Sequence, residues 1–206
     1  MKMKNMLIGG MSLALVACIS VGGTLAYLSD NTGTMTNTFK FGTLEVTQKE
    51  SDGTNNVSNS GSLTYEDLVP GDTVKKEVKI SLTDHNVDAY VYVAVKNSNE
   101  TLVKYGNGDD EAFKAGVGSD WREVESDQVS GYDLYVYTGN TEAAKAVTNF
   151  TDSVLFANAQ VQDAGTGSDT VGDDTTIQIA SYAIQADHVT GHEDKAIDYF
   201  DSYAWN

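Results

Sequence analysis

The 206-residue chain is short of several things, and each shortage removes a class of protein. It has one cysteine, Cys18, inside an apolar N-terminal run, so the remainder has neither a disulfide framework nor thiol chemistry. It has one proline, Pro70, and few basic residues, with 13 Lys and Arg against 30 Asp and Glu. The formal charge of −17 becomes −19 if residues 1–26 are removed, because Lys2 and Lys4 go and no acid goes with them. Nucleic acid and anionic lipid headgroups require a basic surface, so both are excluded as partners, and the membrane enters only through the leader. No His-Glu-x-x-His is present, nor a glycine-rich phosphate loop, a Cys cluster, a Ser-His-Asp order or a sortase-type Leu-Pro-x-Thr-Gly signal. Attachment to a surface is therefore expected to be noncovalent or through polymers.

What is present begins with a leader. Lys2 and Lys4 form a positive start, residues 6–21 are an apolar run, and Thr24-Leu-Ala26 is a small-x-small cleavage site, which predicts a signal peptide over residues 1–26 cut between Ala26 and Tyr27. Two alternatives stay open: an uncleaved anchor, and lipidation of Cys18 within the lipobox-like Leu15-Val-Ala-Cys18. A signal peptidase is the expected partner during export.

Beyond the leader, Val, Thr, Tyr and Asp dominate, and one domain over residues 27–206 is expected. The first segment is a polar arm, Tyr27, Leu28, Ser29, Asp30, Asn31, Thr32, Gly33, Thr34, Met35 and Thr36, extended in character and poor in apolar anchors. Phe39 and Phe41 share one parity and Leu44 and Val46 the other, as a bend at Gly42 would produce. Residues 51–62 read as a loop, and Leu68-Val-Pro-Gly-Asp72 as a turn with Pro70 at its first central position. Val74, Val78, Ile80 and Leu82 alternate with Lys75, Glu77, Lys79 and Ser81, a half-buried strand.

Residues 89–96 are apolar on both parities and predict a central strand covered on both faces. Strands are expected over 121–124, 132–138, 153–161 and 175–186, the last being the longest. Short helical stretches are expected over 109–114 and 142–150, with an acidic loop over 163–174. Ala196, Tyr199, Phe200 and Tyr203 have helical spacing and predict a C-terminal amphipathic helix over 192–205. Seven or eight strands without β-α-β alternation give a mainly β chain: an antiparallel jelly-roll or β-sandwich with short helices and a C-terminal helix.

The chemistry candidates are sparse. His188 and His192 have i, i+4 spacing with Glu193 adjacent, a weak zinc-ligand pattern because Val189, Thr190 and Gly191 form helix poorly and Glu193 falls outside the pair; His85 is a conceivable third ligand. Gly165-Thr-Gly-Ser-Asp-Thr-Val171 and the acidic turns are weak calcium candidates. No cofactor and no catalytic residue is expected.

Gly23-Thr-Leu-Ala-Tyr-Leu-Ser-Asp30, Asn37-Thr-Phe-Lys-Phe-Gly-Thr-Leu-Glu-Val46, Leu68-Val-Pro-Gly-Asp-Thr-Val74 and Ala183-Ile-Gln-Ala186 with residues 193–205 together resemble the TasA/camelysin family of exported Gram-positive proteins. The resemblance implies processing by a SipW-type signal peptidase and a jelly-roll sandwich at the cell surface or in the extracellular matrix of biofilms. It also implies fibres formed by strand donation between copies, the donor here being the arm that starts at Tyr27. Partners would be other copies and other matrix or surface proteins. Some members are named for a metallo-endopeptidase activity, the first alternative; a monomeric adhesin is the second.

Overall fold

A computed structural model describes residues 44–58, 62–83, 87–108, 112–162 and 175–205, all within a unit spanning Gly42–Asn206. The leader, the arm, Phe39 to Gly42, His85, residues 109–111 and the 163–174 loop, with the calls made on them, lie outside the described residues.

Alternation and β-branching dictate the elements. Ten strands and one helix are described: β1 (Glu45–Ser51), β2 (Asn56–Ser58), β3 (Thr73–Thr83), β4 (Ala89–Asn97), β5 (Val103–Asn107), β6 (Lys114–Ala115), β7 (Trp121–Glu123), β8 (Asp133–Tyr137), β9 (Phe150–Val161), β10 (Ile177–Gln185) and α1 (His192–Asp201). They form two antiparallel sheets, ordered β2-β1-β3-β9-β5-β6 and β10-β4-β8-β7. The chain is mainly β with one short C-terminal helix, the class the sequence predicts.

The sheets face each other across one core, in which Val78, Ile80 and Leu82 of β3 and Leu155 and Phe156 of β9 meet Ala89, Val91, Val93 and Val95 of β4. The other parity of β4, Tyr92 and Ala94, joins Leu134 and Val136 of β8 and Ala180 and Ile184 of β10 under Ala196, Ile197 and Phe200 of α1. Each face of β4 is thus buried by a different layer, which is why residues 89–96 carry apolar side chains on both parities. Inside the first core Tyr105 donates its hydroxyl to the Asp133 carboxylate and meets Tyr135 Oη at 2.6 Å. Burial pushes both phenols well above the ordinary tyrosine range, so they stay protonated and able to donate.

The turn at Pro70 forms as expected: Asp72 N–H bonds to Val69 O at 3.0 Å, and Gly71 takes φ +98°, the position where a type II turn needs a residue without Cβ.

Several expectations need correction. The expected 51–62 loop contains a hairpin, in which Asp52 Oδ1 collects the Thr54 and Asn55 N–H groups and turns the chain so that β2 pairs with β1. Residues 142–150 are not a helix: Thr141 Oγ1 bonds to Thr138 O and Ala143 O, Lys145 N–H to Tyr137 O, and Val147 pairs with Ala89 in both directions. The sheet offers these backbone groups partners, and a threonine hydroxyl competes with helical bonding. Strands number ten among the described residues, β9 rather than β10 is the longest, and α1 stops at Asp201, before Tyr203.

Lys76 shares its parity with the apolar residues of β3, and its side chain is 8% exposed beside Glu50, 12% exposed, with Nζ at 2.6 Å from Oε2. Glu50 also accepts from Gln48 Nε2 at 3.0 Å. Removing one partner strands the other charge away from water. Lys76→Ala is therefore expected to cost about 3 kcal/mol in urea unfolding, whereas Lys76→Met combined with Glu50→Leu recovers most of that loss.

Candidate functional site

Of the predicted site residues, His192 and Glu193 sit at the junction of α1 with the four-stranded sheet. Gly191 caps the helix with φ +65° and no side-chain cap, placing His192 and Glu193 in the first turn. The His192 ring stacks on Tyr90 at 3.8 Å between centroids with 18° between planes, and Nδ1 meets the Tyr92 hydroxyl. Burial, reinforced by the Glu193 carboxylate, pushes the Tyr92 phenol up, so its hydroxyl keeps the proton it can share with His192.

Glu193 Oε1 accepts from Arg122 Nη2 of β7 at 3.0 Å, and Arg122 Nη1 donates to Glu123 O at 2.9 Å. His188 lies two residues past the end of β10's hydrogen bond from Ala186 to Asp88, in a turn, exposed, with φ +61°. The i, i+4 histidines thus straddle a turn and a helix start instead of sharing a helical face, and one of them is committed to two tyrosines. Among the described residues no group of three or more His, Cys, Asp or Glu converges in a way that would hold a metal ion. The donor set at this junction does not fit a zinc centre, because among the described residues no third His, Cys, Asp or Glu joins His192 and Glu193.

A second feature is a long strand edge that has no partner among the described residues. Three of the four edge strands are short, with three residues in β2, two in β6 and three in β7, while β10 has nine. Its inner side is fully matched to β4, from Ile177 opposite Asn97 to Gln185 opposite Ala89. Ala186 N–H bonds to Asp88 O at 2.7 Å and Ser98 N–H to Thr176 O at 2.9 Å, which marks even-numbered residues as those that bond to β4. In an antiparallel ladder the bonded positions alternate, so Ile177, Ile179, Ser181, Ala183 and Gln185 aim their N–H and C=O groups outward.

The side chains at this edge are unfinished in the same sense. Ile177, Ile179 and Ala183 of β10, with Leu44 and Val46 beside and on β1, pack on the central core yet remain only partly buried. Sequence reading identified β10 as a strand but not as an edge, since strand order is a long-range property.

At the opposite edge Glu123 of β7 has its carboxyl held above the ordinary range by loss of water, and further by Asp133 and Glu125. None of the described helices is long and apolar enough to cross a membrane.

Comparison with known proteins adds one finding: a family model described as camelysin metallo-endopeptidase matches residues 2–118. No curated protein and no solved structure matches.

His192→Ala removes the ring under Tyr90 and leaves the Tyr92 hydroxyl without its partner. A loss of about 1–3 kcal/mol is expected in denaturant unfolding. His188→Asn, which tolerates the left-handed backbone, should stay within about 0.5 kcal/mol of the parent. For Glu123 the folded-state value lies above the unfolded one, so stability from this group is complete below the unfolded value and lost as pH rises through the folded one. Glu123→Gln should accordingly melt higher than the parent near pH 7, with the difference vanishing below about pH 4.

Proposed function

The chain belongs to the camelysin metallo-endopeptidase family, and from that premise we propose that it is a secreted structural subunit of a biofilm matrix that polymerises by strand donation. Family membership supports an extracellular or cell-surface setting. In this reading a SipW-type peptidase cuts between Ala26 and Tyr27, and the freed arm, residues 27–36, pairs with the free edge of β10 on another copy. The observation that carries the reading is that edge, with five residues directing backbone groups outward next to a half-buried apolar row.

The energetics make the edge usable but not strong. Each ladder bond contributes about 0.5–1.5 kcal/mol net. Tyr27, Leu28 and Met35 are the arm residues able to fill the apolar row, at about 1.5–3 kcal/mol each when fully buried. Association costs about 4–15 kcal/mol, so a polar arm leaves a thin margin. The net charge, −17 for the full chain and −19 once Lys2 and Lys4 leave with residues 1–26, narrows it further by repulsion between copies, screened over about 8 Å at physiological salt. Assembly favoured by acid, salt or divalent cations follows from that balance.

The family's name favours a second reading, metal-dependent peptide hydrolysis. Chelator-sensitive cleavage of casein by the purified protein is the observation that would establish it.

Negative-stain microscopy tests the first reading. The chain processed at Tyr27 is expected to form fibres, and deletion of residues 27–36 to abolish them while leaving a folded monomer. Ser181→Pro, which removes an outward N–H and spares the bonds to β4, should abolish fibres too. Mixing these two variants should yield a one-to-one dimer, since one retains only the donor and the other only the acceptor. Fibres that survive the deletion would sink the reading.

A further inference from the structure

Asn107 is the only asparagine in the chain that a glycine follows. The pairing matters chemically, because the backbone nitrogen of the next residue closes on an asparagine Cγ most readily where no Cβ stands in its path. The fold demands glycine at 108 on two counts. Gly108 takes φ +87°, and a Cβ on it would stand 2.2 Å from Ala112 O. The backbone therefore fixes one half of a reactive pair.

The other half is loosely held. Asn107 ends β5 opposite Lys114 of β6 and lines a cleft of about 360 Å³ together with Asp120, Tyr137, Phe150 and Asp152, so water reaches its side chain. Its Nδ2 meets Gly116 O at 3.5 Å, the far limit of a hydrogen bond. Asn97 Nδ2, by contrast, donates to Val103 O at 2.7 Å, and Asn99 Oδ1 accepts the Leu102 N–H at 3.2 Å. Asn158, 4% exposed, donates to Gly108 O at 2.8 Å and so anchors the glycine beside the loose amide. The ladder over Asn107 is short as well, since β6 has two residues and both are exposed, which makes local opening cheap.

We propose that Asn107 is a site of spontaneous modification. The Gly108 nitrogen bonds to Asn107 Cγ, and its proton leaves with the Nδ2 group as ammonia, which closes a five-membered succinimide. Water then opens that ring at one of its two carbonyls. One opening gives aspartate; the other gives isoaspartate, in which the chain runs through the side-chain carbonyl and carries an extra methylene. Water is the only reactant that enters.

That methylene is what the structure cannot absorb. A Cβ on Gly106, opposite Ala115, would stand 2.2 Å from Lys114 O, so backbones press together on both sides of Asn107. Lengthening β5 between Gly106 and Gly108 drives one of them into Lys114 O or Ala112 O. The side that yields is β6, which so few residues hold. Conversion thus releases β6 from the edge of the six-stranded sheet as the protein ages, independently of whether copies polymerise.

Ageing the processed chain in warm, mildly alkaline buffer tests this, with peptide mapping by mass spectrometry, labelling by an isoaspartate methyltransferase and amide hydrogen exchange as readouts. Asn107 should convert at least about tenfold faster than any other asparagine, a barrier difference of about 1.4 kcal/mol. The Gly116 amide, which bonds to Tyr105 O at 3.1 Å, should exchange at least about tenfold faster in the isoaspartate form. Enzymatic repair of isoaspartate to aspartate should restore slow exchange. Freshly purified Asn107→Asp, which gains the charge without the methylene, should exchange as slowly as the parent, and Asn107→Gln should age with no change in exchange. A faster site elsewhere, an Asn107 that stays intact in the folded chain while the urea-unfolded chain converts, loosening of β6 in fresh Asn107→Asp, or equal loosening in aged Asn107→Gln would each overturn the assignment.

Discussion

The structure depends on covering both faces of β4. Val91, Val93 and Val95 project into the space between the sheets and Tyr92 and Ala94 toward the helix, and all five are 0% exposed. A strand apolar on both parities cannot lie at a surface, so two further layers must form, and the chain does so with β3 and β9 on one side and α1 on the other. The helix is short and lacks a side-chain cap, and it owes its place to this demand: Ala196, Ile197 and Phe200 close the face that β4, β8 and β10 leave open. His192 and Glu193 serve the same docking through Tyr90, Tyr92 and Arg122.

The same constraint explains why β10 is the long edge. It is needed beside β4 to carry Ala180 and Ile184 beneath the helix, yet no described strand lies on its other side. Long, flat edges ordinarily carry inward charges, prolines or bulges against unwanted pairing. Along β10 from Ile177 to Gln185 there is neither a charged residue nor a proline. The abundant acid elsewhere then acts as a general brake on association, a charge effect that acts at a distance and does not depend on register.

The cleft and the edge occupy different parts of the sandwich and draw on different chemistry. One presents side-chain carboxylates and a ring wall, the other backbone groups.

Much was legible from residue order. Strict alternation located β3, unbroken hydrophobicity located β4, and Leu68-Val-Pro-Gly-Asp72 specified its turn, because each depends on neighbours within a few residues. The scattered motifs pointed to the family that the comparison then supplied. Other features waited for the fold. The burial of Lys76 shows only once β1 brings Glu50 to it, residues 142–150 read as a short helix until Ala89 and Tyr137 claimed their backbone groups, and the packing of His192 between Tyr90 and Tyr92 was beyond any local pattern. Asp120 and Asp152 stand 32 positions apart in sequence and share a cleft only because β7 and β9 lie in facing sheets. Local pattern determined which segments are strands and which faces are apolar. Which strand stands at an edge, and which distant carboxylates meet, was decided by pairing across the whole chain, since burial selects partners by shape and area and not by their separation along the backbone.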